Sequence, residues 1–146
     1  THLYGTLDKA QFAAGPPTTA LVDLKGWSVG VLICYDVEFP ENTRRLARAG
    51  ADLIAVPTAN MAEFDFVSTA VIPVRAYENQ TYVAYANYVG HEADIHYGGL
   101  STVAAPDGAV LAQAGRDETL LFATLLAPRL AAARRQCTHL VDATPP

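Results

Sequence analysis

Short apolar runs separated by turn residues predict a strand-helix-strand unit in the first half of the chain. The runs Leu21–Leu24 and 28–33 flank a turn at Lys25 and Gly26, which favours a β-hairpin whose second strand is buried. A helical pattern follows over residues 40–50, because it opens on a proline and closes on a glycine. The next apolar run, 51–56, predicts a buried strand parallel to the earlier one.

The second half of the chain continues with a predicted helix, further strands and a tail. Residues 65–80 have apolar positions near helical spacing, and Pro73 predicts a helix that starts late or kinks there. The pattern also predicts a polar loop at 91–99, and strands at 81–86, 100–105, 109–113 and 119–125. From Ala127 to Pro145 and Pro146 a tail is predicted, which needs a partner surface to become ordered.

Composition narrows the class of protein. With 146 residues, of which 51% are hydrophobic, the chain fits one compact domain and is not predominantly disordered. Its 15 acidic residues outnumber the 10 Lys and Arg, and nucleic-acid binding needs clustered basic residues, so no nucleic-acid partner is expected. No apolar run approaches the roughly 20 residues that span a bilayer, which predicts a cytoplasmic protein without a membrane partner.

The two cysteines suggest chemistry more than they suggest a disulfide. Two are too few for a disulfide scaffold, and a cytoplasmic chain would keep both reduced. Cys34 lies between a buried strand and a loop that leads to a helix, where catalytic groups collect in open α/β sheets. It is either a nucleophile or a small buried residue that ends the strand. A nucleophile needs a base or a cationic neighbour, because only about a few per cent of a free thiol is ionised at neutral pH.

No metal or cofactor is predicted. Cys137 and His139 lie in the predicted tail, and the other histidines are scattered along the chain. No pair of these residues has the spacing of a zinc site.

Several ordered motifs resemble one family. The run GVLICYDVEFPENTRRLARAGADLIAVPTA, followed by RAYENQTYVAYANYVG, GGLSTVAAPDG and LLFATL, resembles the nucleophile region and later segments of the nitrilase superfamily, the carbon-nitrogen hydrolases. Within it, the chain most resembles the bacterial amidases that release ammonia from small carboxamides. The resemblance implies an α/β fold, a four-layer α-β-β-α sandwich of which this chain supplies roughly the carboxy-terminal half. It also implies a homodimer or higher homo-oligomer.

The resemblance assigns roles to two adjacent residues. The family uses a Glu, Lys and Cys triad, and Cys34 matches its nucleophile, which would form a thioester with the acyl group. The backbone N–H of Tyr35 matches a donor to the oxyanion, and one such donor can lower a barrier by roughly 3 kcal/mol. The implied reaction converts a small-molecule amide to an acid and ammonia.

The chain departs from the family pattern at its other two catalytic positions. The K-x-H-L motif of the family is present only from Thr1 and His2 onwards, so its lysine would precede residue 1. Lys9 and Lys25 do not match that position, and the catalytic Glu belongs to the amino-terminal half of the family. We therefore expect residues 1–126 to be the carboxy-terminal part of a hydrolase domain, 127–146 to be a tail available for a dimer contact, and the chain alone to be inactive.

Other positions are candidates for binding or support. Asp8 lies near the place where the resemblance puts a second, substrate-positioning carboxylate, and it could equally be a solvated loop residue. The expected pocket residues after the second buried strand are Thr58, Asn60 and Met61, although a polar loop would look the same. The expected structural support comes from the R-A-x-E-N motif, through Arg75, Glu78 and Asn79.

Asp36 and Glu38 flank the thiol and could act as a local base. We expect them instead to cap the following helix and its loop, since carboxylates are favoured near a helix N-terminus.

Other functions remain open. A papain-type hydrolase would need His91 or His96 beside Cys34, and an N-terminal-nucleophile hydrolase would use Thr1. The chain could also belong to a nitrilase or an N-carbamoyl hydrolase of the same superfamily, or to a non-catalytic relative that binds small molecules or partners.

Overall fold

The computed structural model describes residues 1–143, which form a mixed α/β structure around a six-stranded sheet. The strands of that sheet run in the order β1-β2-β3-β4-β7-β8, and β5 and β6 form a separate two-stranded sheet. The strand bounds are β1 Leu21–Leu24, β2 Trp27–Val31, β3 Leu53–Thr58, β4 Tyr82–Asn87, β5 Val89–Glu92, β6 Ile95–Gly98, β7 Thr102–Ala104 and β8 Val110–Gln113.

The helices lie between and after these strands. Their bounds are α1 Gly5–Gln11, α2 Pro40–Arg48, α3 Ile72–Asn79, α4 Ala127–Gln136 and α5 His139–Asp142. Short 3₁₀ helices cover Cys34–Glu38 and Ala62–Phe64, and a π-helical turn covers Val67–Val71.

The predicted strand-helix-strand unit is confirmed. Strands β1 and β2 form the antiparallel hairpin, and β2 pairs in parallel with β3 across α2. Alternate residues of the central strands, among them Ile54 and Val83, point to one face and are fully buried against α2 and α3. Leu46 of α2 and Ile72 of α3 belong to this core. The parallel strands β2, β3 and β4 therefore end at the same edge of the sheet.

The helix predicted over 65–80 starts late, as its proline suggests. A π-helical turn covers Val67–Val71, and α3 begins at Ile72 with Pro73 in its first turn. A proline is tolerated there because the first N–H groups of a helix have no intrahelical acceptor.

The segment after residue 126 packs on the sheet of its own chain. Leu130 of α4 is buried with Tyr82 and Ala105 on the sheet face opposite α2 and α3. The Tyr82 hydroxyl donates to the carbonyl of Leu126 at 3.0 Å and accepts from its N–H at 3.1 Å. Within the predicted tail, residues 127–136 form α4 on the sheet of the same chain; Pro145 and Pro146 lie outside the described residues.

Two sequence predictions in this half of the chain are wrong. Residues 91–99 contain most of the β5–β6 hairpin, in which His91 pairs with His96, and the connecting turn has Ala93 in a left-handed conformation. Residues 119–125 contain no strand. The side chains of Leu120 and Phe122 are about four-fifths exposed, because this apolar run has no adjacent strand within the described residues. None of the described helices is long and apolar enough to cross a bilayer.

Candidate active site

A cavity of about 270 Å³ opens at the edge of the sheet where β2 and β3 end. Its lining combines a thiol, a carboxylate and several aromatic or apolar side chains. The lining residues are Tyr4, Cys34, Tyr35, Glu38, Ala59, Asn60, Met61 and Phe64. Four of these, Cys34, Tyr35, Asn60 and Met61, were predicted from the sequence.

Cys34 begins the 3₁₀ helix that follows β2, and its backbone is left-handed with φ of 47°. Such a conformation is uncommon for a residue with a side chain, and it costs free energy that the surrounding structure must supply. In this helical turn the Asp36 N–H donates to the Ile33 carbonyl at 3.0 Å. The Tyr35 N–H lies one residue before that donor, beside the thiol at the start of the helix.

Arg75 of α3 holds the other end of this 3₁₀ helix. Its guanidinium donates to the carbonyls of Val37 at 3.0 Å and Glu38 at 2.6 Å, and to the Glu78 carboxylate at 3.0 Å. Only 12% of the Arg75 side chain is exposed. Asn79 contacts α3 itself, since its amide donates to the Arg75 carbonyl at 2.9 Å. Of the R-A-x-E-N residues, Arg75 thus contacts the backbone of the Cys34–Glu38 segment and Glu78 pairs with Arg75, and all three lie outside the cavity lining.

The expectation that Asp36 and Glu38 cap α2 is wrong. Helix α2 is preceded by Phe39 without a side-chain cap, and Pro40 occupies its first turn. The buried Asp36 carboxylate accepts instead from the backbone N–H of His2 at 2.8 Å and lies 3.0 Å from its ring Nδ1. It thereby ties the Cys34–Glu38 segment to the segment that contains the partial K-x-H-L motif.

Among residues 1–143, Glu38 is the one carboxylate in the lining of this cavity. Partial burial raises the pKa of Glu38, and the positive charge of Arg75 opposes that rise. Glu38 lies four residues after Cys34 in the sequence. Sequence spacing does not show whether Glu38 caps a helix or faces a cavity, because that depends on the backbone conformation at Phe39.

The aromatic part of the lining was not predicted. Tyr4 lies edge-on to Tyr35, with ring centroids 5.3 Å apart, and to Phe64 at 6.2 Å. Tyr35 and Phe64 lie about 30 and 60 residues after Tyr4 in the sequence, so no local pattern predicts that these rings are in contact.

Tyr85 lies in the core behind the cavity and was also missed. Its side chain is 2% exposed and hydrogen-bonds the side chains of Asn60 and Thr58. Burial, together with the nearby Cys34, raises the pKa of Tyr85 to about 12. It is therefore neutral at physiological pH and supports the residues that follow β3.

Two predicted pocket residues are not in the lining. Thr58 ends β3, and its hydroxyl lies 3.4 Å from the Val56 carbonyl. Asp8 belongs to α1, and its carboxylate accepts a hydrogen bond from the Tyr4 N–H at 3.1 Å. Asp8 therefore contacts a lining residue but does not line the cavity itself.

The geometry suits attack by a thiol on a small, largely apolar substrate. No cationic side chain of residues 1–143 lines the cavity, so among these residues an oxyanion would meet only uncharged donors. His91 and His96 stack on each other in the β5–β6 hairpin, with ring centroids 4.2 Å apart, and neither lines the cavity. Over the same residues, no group of three or more His, Cys, Asp or Glu could hold a metal ion.

Comparison with known proteins places these features in a family. A family model described as carbon-nitrogen hydrolase matches residues 1–135. The chain is 55% identical over 145 residues to a Pseudomonas protegens protein named "Hydrolase in pqqF 5'region", covering 99% of this chain and 51% of that protein. It is 38% identical over 143 residues to an (R)-stereoselective amidase of Pseudomonas sp., covering 97% of this chain and 52% of that amidase.

A solved structure extends the comparison to the fold. A mutant of the amidase from Nesterenkonia sp. AN1, which shows the result of Michael addition of acrylamide at its active-site cysteine, is similar with a TM-score of 0.82. The identity is 38%, and the match covers 92% of this chain and 53% of that chain. The chain thus spans about half the length of the relatives it matches, and its fold is that of roughly half of a nitrilase-type amidase.

Proposed function

The chain belongs to the carbon-nitrogen hydrolase family, and from that membership we propose that the whole protein is an amidase that uses Cys34 as its nucleophile. One observation carries the proposal: Cys34 has a left-handed backbone at the first residue of a 3₁₀ helix and lines a cavity where two parallel strands end. Strained residues at such an edge are common at functional sites.

The proposed reaction has two halves. The Cys34 thiolate attacks the amide carbon, a C–S bond forms, and the negative charge on oxygen is met by the Tyr35 N–H. The C–N bond then breaks, and the leaving nitrogen takes up the proton that the thiol lost and departs as ammonia. Water next attacks the thioester, the C–S bond breaks, and the acid and the free thiol are released.

Two groups of this mechanism would come from outside residues 1–146. The family resemblance calls for a glutamate as general base and a lysine to stabilise the oxyanion, and no cationic side chain of the described residues lines the cavity. We also propose Asp8 as a positioning group. It would act through Tyr4, because its carboxylate accepts a hydrogen bond from the Tyr4 N–H. On this proposal residues 1–146 alone are inactive.

The cavity supports a small substrate with an apolar acyl group. The volume that residues 1–143 enclose, about 270 Å³, is just below the usual range for small-molecule pockets. Tyr4, Met61 and Phe64 supply apolar surface, so the acyl group would lie among them and the amide would face the thiol. The Pseudomonas relative's name, (R)-stereoselective amidase, agrees with a carboxamide substrate for this chain.

The test is a substrate panel for the complete gene product that contains this chain. Small aliphatic amides, the matching nitriles and an N-carbamoyl amino acid would be incubated with it, and ammonia and carboxylic acid measured. The proposal expects turnover of amides above the others, and none by purified residues 1–146. Preferred turnover of nitriles or of the N-carbamoyl compound would assign another reaction, while no turnover of any class would favour a binding protein.

A further inference from the structure

One wall of the cavity is held in place by contacts from three other segments of the chain. This wall, residues 60–64, contributes Asn60, Met61 and Phe64 to the lining. It lies between the end of β3 and the π-helical turn before α3. Without contacts to other segments, a connection of this kind would be free to change shape.

Asn87, the last residue of β4, holds the start of the wall through its side chain. Its side-chain oxygen accepts from the Asn60 N–H at 2.7 Å, and its amide nitrogen donates to the Asn60 carbonyl at 3.2 Å. The same nitrogen donates to the Gly99 carbonyl at 2.8 Å. One side chain thus satisfies both backbone groups of Asn60 and joins the wall to the segment after β6.

The β5–β6 hairpin fixes the next part of the wall. The Gly98 N–H donates to the Asn60 carbonyl at 2.9 Å, and Met61 and Tyr97 form a β-bridge. A Cβ atom on Gly98 would lie 3.2 Å from the Ala62 Cα and 3.3 Å from the Met61 carbonyl oxygen. The wall therefore lies so close to the hairpin backbone that a side chain at position 98 would require it to shift by a few tenths of an ångström.

Arg116 holds the carboxy-terminal end of the wall. Its guanidinium forms a two-pronged ion pair with Asp65, the residue after the wall, with one contact at 3.2 Å. It also donates to the Gly98 carbonyl at 2.8 Å. Arg116 thus links the end of the wall to the same hairpin that holds its start.

We propose that Asn87 and Arg116 are positioning residues that fix the 60–64 wall and thereby set which acyl groups the cavity accepts. The inference rests on the proposed amidase function. Neither residue lines the cavity with Cys34, and the Cys34–Glu38 segment is held separately by Arg75. Loosening the wall should therefore change KM for substrates that reach it, with little change in kcat for a substrate too small to do so.

The test compares acetamide with a bulkier amide, such as phenylacetamide, in the complete gene product. The variants are Asn87→Ala, Arg116→Gln and, as a matched control, Arg129→Gln. Arg129 also forms a two-pronged ion pair with an aspartate, Asp107, but away from the cavity. From the usual size of a lost pocket contact, we expect the ratio of kcat/KM values for the two amides to shift about 5- to 20-fold in Asn87→Ala and about 2- to 5-fold in Arg116→Gln. The control should stay at the wild-type ratio.

An unchanged ratio in Arg116→Gln and in any folded Asn87 variant would overturn the proposal. Arg116 and Asp65 are partly exposed, with 46% and 35% of their side chains accessible, so the Arg116 variant tests the idea even if Asn87→Ala fails to fold. A fall in kcat for both amides alike would also overturn it, because that pattern indicates general damage.

A second readout separates this proposal from the proposed function. In a Cys137→Ser background, the rates of Cys34 alkylation by iodoacetamide and by N-phenylmaleimide are compared, which requires no amide turnover. We expect the wild-type wall to slow the bulky reagent selectively and Asn87→Ala to reduce that selectivity. If the protein hydrolyses no amide but shows this change, the amidase proposal fails and the role of the wall stands. Equal selectivity in both proteins would contradict the role of Asn87.

Discussion

Arg75 donates a hydrogen bond to the carbonyl of Val37 at 3.0 Å, and so ties α3 to the loop that carries Cys34. Arg75→Met removes this bond and two others, and leaves two backbone carbonyls and the Glu78 carboxylate without their donor. We expect the free energy of unfolding to fall by about 2–4 kcal/mol, measured by urea denaturation. Arg75→Lys should recover part of that loss. A loss below about 0.5 kcal/mol would show that the loop does not depend on Arg75.

Gly30 on β2 lies directly under Leu46 of α2. A Cβ at position 30 would come within 3.0 Å of the Leu46 Cδ1 atom, and Leu46 is fully buried. Gly30→Ala should therefore destabilise the protein by about 1–3 kcal/mol through overpacking, measured as a lower urea midpoint. Gly15→Ala is the matched control, since a Cβ there meets nothing within 4 Å. Equal midpoints for the two variants would contradict this packing.

Tyr85 should make stability fall at alkaline pH. Because its pKa is raised to about 12 from the usual 10, the folded state keeps the phenolic proton after the unfolded state has lost it. The stabilisation is complete below pH 10 and is lost as pH rises through about 12, with a slope of up to about 1.4 kcal/mol per pH unit. Tyr85→Phe should flatten this slope in urea titrations between pH 9.5 and 11.5, a range chosen around the unfolded value. Parallel slopes for both proteins would contradict the assignment.

Tyr82 anchors the start of α4 through two hydrogen bonds between its hydroxyl and the backbone of Leu126. Tyr82→Phe removes both, so we expect a loss of about 1–2 kcal/mol and faster hydrogen exchange within α4. Tyr88→Phe is the control, because 61% of Tyr88 is exposed. Unchanged exchange in α4 would mean that apolar contacts around Leu130 suffice to hold the helix.

The strand-helix-strand unit was predictable because its apolar runs, proline and glycine mark every boundary. The β5–β6 hairpin was not, since its strands are largely polar and its turn uses Ala93 and Asp94 instead of an Asn-Gly pair. The run 119–125 has strand composition but no adjacent strand among the described residues, and pairing is a tertiary property.

The residues of the candidate site also fall into those that the sequence predicts and those that it does not. Cys34 and Tyr35 follow a buried strand, so their place at the sheet edge could be predicted from the sequence. Tyr4, Phe64 and Asn87 reach the site region through contacts between distant segments, which local patterns do not encode.

The most direct test of the account is amide hydrolysis by the complete gene product in which Cys34 or Cys137 is replaced by alanine. Both are free and partly buried cysteines, but only Cys34 lines the cavity. We predict that Cys34→Ala lowers kcat/KM by at least about a thousandfold, while Cys137→Ala stays near wild type. Amide hydrolysis by a folded Cys34→Ala protein at the wild-type rate would remove this thiol from the reaction.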